Sequence, residues 1–129
     1  MQQTKIAPFS IFEGQQFLSL TTFRRNGQPI ATPVWFARAG DRLYVVTQPS
    51  TGKVKRIHHN AQVEVAPCTH VGKLLAQPIE AMALILTDVH QIDSAKRALN
   101  HKYGLRKHLS DLVMRLQHIE RIYIEITAM

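Results

Sequence analysis

Residues 16–47 read QFLSLTTFRRNGQPIATPVWFARAGDRLYVVT, and this stretch decides the fold. Its first part, residues 16–23 (QFLSLTTF), is rich in β-branched and aromatic side chains and predicts a strand. Arg25-Asn26-Gly27-Gln28 follows, and Asn-Gly is a strong hairpin signal because both residues tolerate a positive φ. A second strand is expected over residues 29–38 (PIATPVWFAR), a turn at Gly40-Asp41, and a third strand over residues 42–47 (RLYVVT). Three strands joined by tight turns make an antiparallel meander.

Downstream, residues 48–52 (QPSTG) form a turn-rich cluster and residues 53–60 predict a short helix. In residues 61–66 (AQVEVA) Ala61, Val63 and Val65 face one way while Gln62 and Glu64 face the other. Residues 70–78 read as a loop, and residues 79–87 as a strand buried on most sides. From Asp88 the period turns helical: Ile92, Ala95, Leu99 and Tyr103 share a face, with Gly104 where a C-terminal cap belongs. Leu109, Leu112, Val113 and Leu116 make a second helical stripe. Residues 121–127 (RIYIEIT) predict a last strand with Ile122, Ile124 and Ile126 inward. About six strands with late helices imply a small antiparallel barrel of mainly β or α+β class, one domain over residues 1–129.

The composition, 45% hydrophobic and 19% charged, is that of a globular protein. The single cysteine, Cys68, excludes an intramolecular disulfide and a zinc ribbon. The polar opening residues carry no leader pattern and the aliphatic residues 81–86 are too short a run for a bilayer, so a cytoplasmic protein with no membrane partner is expected. Sixteen Lys and Arg against nine Asp and Glu give a net charge of +7. Residues 1–60 hold eight basic and two acidic side chains, residues 61–129 eight and seven. That asymmetry suits an anionic partner near the first half, although solubility alone accounts for a basic surface equally well.

Two local features carry chemistry. In Ser50-Thr51-Gly52-Lys53-Val54-Lys55-Arg56, hydroxyls and a glycine open a helix, where free N–H groups favour an anion. Lys53 and Arg56 are three residues apart and share a helix face. The Gly-Lys pair is not a P-loop: position 47 is Thr where that motif needs Gly, and position 54 is Val where it needs Ser or Thr. Pro33 is the second feature, because proline cannot donate to a sheet ladder and belongs at an edge, a bulge or a ligand site. A strand left free there offers N–H and C=O groups to a flat ring; an ordinary edge strand with Trp35 and Phe36 in the core is the plainer alternative. The seven histidines make no metal pattern, no metal site is expected, and Cys68 reads as a buried small side chain.

Residues 21–37 (TTFRRNGQPIATPVWFA) followed by residues 43–68 (LYVVTQPSTGKVKRIHHNAQVEVAPC) resemble the pyridoxamine-phosphate-oxidase-like split-barrel flavoproteins. Within them the chain is most similar to the branch that uses the deazaflavin coenzyme F-420. Sister branches bind FMN, F-420, haem or nothing. The resemblance implies a six-stranded antiparallel split barrel with a few short helices, a homodimer, and a cofactor in a groove at the subunit interface. By position, Ala31, Thr32, Pro33, Val34, Trp35 and Phe36 would line the ring and its side chain. Thr47 would supply a hydroxyl contact. Ser50, Thr51, Gly52 and Lys53 would bind the phosphate, with Lys55 or Arg56 adding charge.

Two departures bear on the cofactor. FMN users of this family carry arginine where this chain has Ala31 and Gly52, so a tight FMN clamp is weakened, bidentate Arg being the stronger phosphate partner. The resemblance therefore implies F-420, with FMN as the alternative, and hydride transfer to a small organic substrate. No catalytic residue is identified. A non-catalytic flavin carrier or sensor fits the same residues. Nucleic-acid binding, suggested by a pI near 10.0, is disfavoured because the basic residues do not interleave with exposed aromatics.

Overall fold

A computed structural model describes residues 8–103 and 121–129. A 3₁₀ turn (Pro8–Phe12) leads into strands β1 (Phe17–Phe23), β2 (Pro29–Ala39) and β3 (Arg42–Thr47). Helix α1 (Gly52–His59), strands β4 (Gln62–Cys68) and β5 (Ile79–Ile85), helix α2 (Val89–Tyr103) and strand β6 (Ile122–Ala128) complete the order. The strands close into an antiparallel barrel, β1-β2-β3-β6-β5-β4. The expected mainly β, six-stranded split barrel is therefore the fold. The second helical stripe, Leu109 to Leu116, and Gly104 lie outside the described residues.

Alternation builds the barrel. Leu18 and Leu20 of β1, Phe36 of β2, Leu43 and Val45 of β3, Val63 and Val65 of β4, Ala81 and Ala83 of β5, and Ile124 and Ile126 of β6 fill the interior. Phe9 and Phe12 close one end of this core from the 3₁₀ turn, and Ile57 of α1 enters the same cluster. Outside the barrel, α2 sets Ala95, Leu99 and Tyr103 on Ala37, Tyr44 and Tyr123. The helical face read from the sequence is the buried one.

The first hairpin differs from expectation in its turn. Only Gly27 takes a positive φ, of 89°. Asn26 instead uses its side chain, Oδ1 accepting from the Gln28 N–H at 3.0 Å, so the Asx hydrogen bond does the work of a second left-handed residue.

Two interruptions of the sheet matter more. The β2–β3 ladder covers only Phe36 to Ala39 against Val45 to Arg42. Extending its register sets Thr47 opposite Val34, but no pair forms there, so β2 from Pro29 to Trp35 has no ladder partner on its β3 side. The β1–β2 ladder stops at Phe17↔Trp35 at the other end. The next rung is replaced: the Tyr103 hydroxyl accepts from Phe36 N–H at 3.0 Å and donates to Phe36 C=O, with Gln16 C=O at 3.3 Å. The Lys102 ammonium donates to Gln15 C=O at 2.7 Å and Phe36 C=O at 2.8 Å. Backbone groups buried at this split thereby find partners from the last turn of α2.

Tyr103→Phe keeps the ring and removes the hydroxyl, so the Phe36 N–H loses a buried partner. Urea denaturation should show a loss of about 1–3 kcal/mol, the cost of an unsatisfied buried group, at unchanged m value. A variant as stable as the wild type would mean the rung is satisfied in another way.

Candidate functional site

The open stretch of β2 and the start of α1 form the candidate site. Even-numbered residues of β2 point into the barrel, as the Leu18↔Val34 and Leu20↔Thr32 register requires, and odd-numbered ones point out. Ala31, Pro33 and Trp35 therefore share the outer face. The backbone N–H and C=O of alternate residues point to opposite neighbours, and Phe36 points toward β1. Pro33 consequently faces the side where β3 has already left, and its missing N–H breaks no ladder. The edge reading of Pro33 applies here, since a closed barrel carries a local edge at this position.

The α1 end is cationic and sparsely capped. Thr51 occupies the N-cap without a side-chain hydrogen bond to the helix, its hydroxyl donating instead to Gln48 C=O at 3.0 Å. The first turn carries no acidic residue. Arg56 Nε donates to the Thr22 hydroxyl at 2.6 Å, and its guanidinium folds back over Gly52. A Cβ on Gly52 would stand 2.7 Å from Arg56 Nη1, so the missing side chain leaves room for the guanidinium at the helix start. Burial, and then the neighbouring Arg56 charge, push the Lys53 ammonium below the usual lysine range. Arg25 of the first hairpin donates to the His59 ring at 2.8 Å. The ion pairs among the described residues, Arg38–Glu13, Arg42–Glu125 and Arg97–Asp93, all lie elsewhere.

The predicted residues do not all converge. Lys53 and Arg56 lie on one side of α1, whereas Lys55 is exposed on another. Phe36 is withdrawn from any groove: its ring is fully buried in the barrel and its backbone groups are taken by Tyr103 and Lys102. Thr32 faces the barrel side, and its Oγ1 is buried without a hydrogen-bond partner. Thr47 ends β3, paired with Ile122 of β6, and Ser50 and Thr51 lie on the connection from β3 to α1.

Thr22 was not singled out by the sequence reading, yet it is fully buried and holds Arg56. A hydroxyl at the third inward position of a strand, after Leu18 and Leu20, is the signal for it. A Cβ added at Gly72, on the loop between β4 and β5, would stand 3.9 Å from the Pro33 ring, a neighbourhood that no local pattern foretells. Among the described residues, no group of His, Cys, Asp or Glu is placed to hold a metal, and no helix is long and apolar enough to cross a membrane.

A six-stranded antiparallel barrel with a split strand pair and a cationic helix start defines the class of split-barrel proteins. The profile of the pyridoxamine 5'-phosphate oxidase family matches residues 5–125, and the chain belongs to that family. No curated protein matches it. Among solved structures it is similar to a heme storage protein of Vibrio cholerae, at 11% identity over 92% of this chain and 85% of that one, TM-score 0.71. It is also similar to an FAD-binding protein of Mesorhizobium loti, at 17% identity over 98% and 91%, TM-score 0.65. An F-420 reductase aligns at 18% identity over 98% and 96%, TM-score 0.59. At such identities the likeness establishes the fold.

Between its lowered native value and the ordinary value of 10.5, Lys53 binds more proton in the unfolded chain than in the native one. Stability therefore rises with pH through that window. The wild type should gain stability relative to Lys53→Met as pH climbs toward 10.5. Parallel pH profiles for the two proteins would refute the buried, charge-crowded Lys53.

Proposed function

We propose that this chain is a flavin-type oxidoreductase that binds F-420 in preference to FMN and transfers hydride to a small organic substrate. The observation that carries the reading is the unpaired cationic start of α1. Lys53 and Arg56 sit at an uncapped helix N-terminus, with Gly52 making room, beside a length of β2 whose outer edge is open. The donors fit a phosphate group, and the open β2 backbone suits polar atoms along a ligand. When bound, the deazaflavin or flavin ring supplies the hydride chemistry. The chain's own residues bind and orient: Lys53 and Arg56 neutralise the phosphate, and the outward row of Ala31, Pro33 and Trp35 offers a surface for the ring.

The preference for F-420 rests on side chains that are missing. Ala31 and Gly52 stand where the resemblance implies arginine in FMN users, leaving a looser array of cations suited to a phosphodiester with further negative charge. Arg24 and Arg25 extend that array beyond one phosphate. A non-catalytic carrier is the second reading, favoured by the likeness to a heme storage protein. Nucleic-acid binding remains the distant third, and a salt titration against random duplex tests it.

Calorimetry at fixed salt should find F-420 binding tighter than FMN, and Lys53→Ala weakening F-420 by about 1–3 kcal/mol. FMN binding tenfold tighter, about 1.4 kcal/mol, would overturn the order. Turnover of a reducible substrate by the loaded protein separates the enzyme from the carrier.

A homodimer belongs to the same proposal. Phe36, Tyr44 and Leu86 are covered within the chain and leave no interface there. Five of the exposed large apolar residues lie on the β4–β5 loop and β5, Val71, Leu74, Leu75, Met82 and Leu84, whereas Ile11, Val89 and Met129 are scattered elsewhere. A patch of this kind is usually an interface, and two-fold pairing is the commonest solution. Light scattering at micromolar concentration should give twice the monomer mass. A monomer that still binds cofactor stoichiometrically would defeat the dimer.

A further inference from the structure

At the end of β1 away from α1, about 20 Å along the strand from Thr22, the divergence of β1 from β2 opens a cavity of about 430 Å³. That volume lies within the range of about 300–1,000 Å³ typical of small-molecule sites. Its walls are the turn after the 3₁₀ helix, the end of β2 and the last turn of α2. The rings of Phe12 and Phe36 lie edge to face beneath it, 5.3 Å apart. Tyr103 and Lys102, by replacing the missing ladder rung, hold the two strands apart.

Arg38 is the informative residue of this cavity. Its Nε donates to Gly40 C=O at 2.8 Å, which fixes the guanidinium on its own strand. Its Nη1 donates to one oxygen of Glu13 at 3.1 Å. Among the described residues the Arg38 side chain makes no other hydrogen bond, so Nη2 has no partner there. The two side chains are held very differently: 23% of Arg38 is exposed, against 82% of Glu13. An anchored arginine is thus met by a single oxygen of a solvated carboxylate. Such an exposed pair contributes little stability, and a carboxylate that engaged two guanidinium nitrogens would make the stronger contact. His101 stands on the same wall, exposed and without a hydrogen bond among the described residues.

We propose that this cavity is a binding site for small organic carboxylates, with Arg38 as their anchor and Glu13 as a displaceable plug that occupies the carboxylate position in the free protein. The site is separate from the cationic start of α1, and its existence does not rest on the cofactor reading. Glu13 serves as an internal stand-in: a carboxylate already reaches Arg38 from the lip of the cavity. A ligand carboxylate has to outcompete one monodentate contact, while the body of the ligand enters the space over the aromatic floor.

The test uses the full chain, with benzoate as probe and benzamide as its uncharged counterpart. In a ¹⁵N NMR titration, benzoate should shift the backbone amides of Gly14, Gln15, Gln16 and His101, and benzamide should not. Glu13→Gln removes the plug and should tighten benzoate binding, whereas Arg38→Gln should weaken it by about tenfold or more, the scale of a lost charge-assisted hydrogen bond. Lys55→Gln, at the other end of the barrel, should leave the affinity unchanged. Opposite signs for Glu13→Gln and Arg38→Gln are the signature of a displaced internal carboxylate. Absence of shifts at the four amides, equal binding of benzamide, or weaker binding by Glu13→Gln would overturn the proposal. If Arg38→Gln fails to fold, the sign of the Glu13→Gln effect decides alone.

Discussion

One hydroxyl group fixes the course of β2. Where β1 and β2 part, the N–H and C=O of Phe36 lie in the protein interior, and a rung of the ladder would ordinarily satisfy them. The Tyr103 hydroxyl does so instead, acting as acceptor and donor on the same residue, while the Lys102 ammonium bridges Phe36 C=O to Gln15 C=O. Without those partners the two strands would either zip closed or leave buried polar groups bare, at a cost comparable to a large part of a small domain's net stability. The last turn of α2 therefore docks with defined register, and β2 leaves the split with its odd residues outward. Both the open edge at Pro33 and the cavity at Arg38 follow from how β2 is held between two interruptions.

Charge is distributed with a similar logic. Away from α1, arginines meet carboxylates: Arg42 reaches Glu125 on the neighbouring strand, with the Tyr44 hydroxyl on the same oxygen at 3.4 Å. The Tyr44 and Glu125 contacts raise the Arg42 affinity for its proton. At α1 the cations meet hydroxyls, a ring nitrogen and one another, and Lys53 holds its proton less firmly, through burial first and then through the Arg56 charge. Such an arrangement costs the protein stability. Concentrating repulsion in one place, with compensation elsewhere, is a common mark of a ligand site in an otherwise consistent fold.

Much of the fold is legible in the sequence because the relevant information is local. Alternation in residues 61–66 puts Val63 and Val65 inward, the spacing of Ala95, Leu99 and Tyr103 gives the buried face of α2, and Ile124 and Ile126 fill the barrel. Phe36 and Trp35 mark where local reading ends. Both are large and apolar, so their own composition does not say which faces in; the Leu18↔Val34 register with β1 decides it. At the candidate site, the convergence of Lys53 and Arg56 follows from helical spacing. The Thr22 partner of Arg56 comes from a distant segment, which no local pattern contains. Lys102 and Tyr103 are likewise joined to Phe36 across more than sixty intervening residues.

Pro33 has a further consequence for how the protein behaves in a crowded solution. An exposed row of strand N–H and C=O groups is a template on which another extended chain can add itself, the first step of runaway strand-to-strand association. β2 presents such a row between its start and Trp35, because its neighbour turns away into α1. Proline at position 33, and again at position 29, removes donors from that row and stiffens the backbone around it. A small ligand needs only a few polar atoms from the opening, whereas an invading strand needs them at regular intervals. The same residue that leaves the edge available to the one denies it to the other.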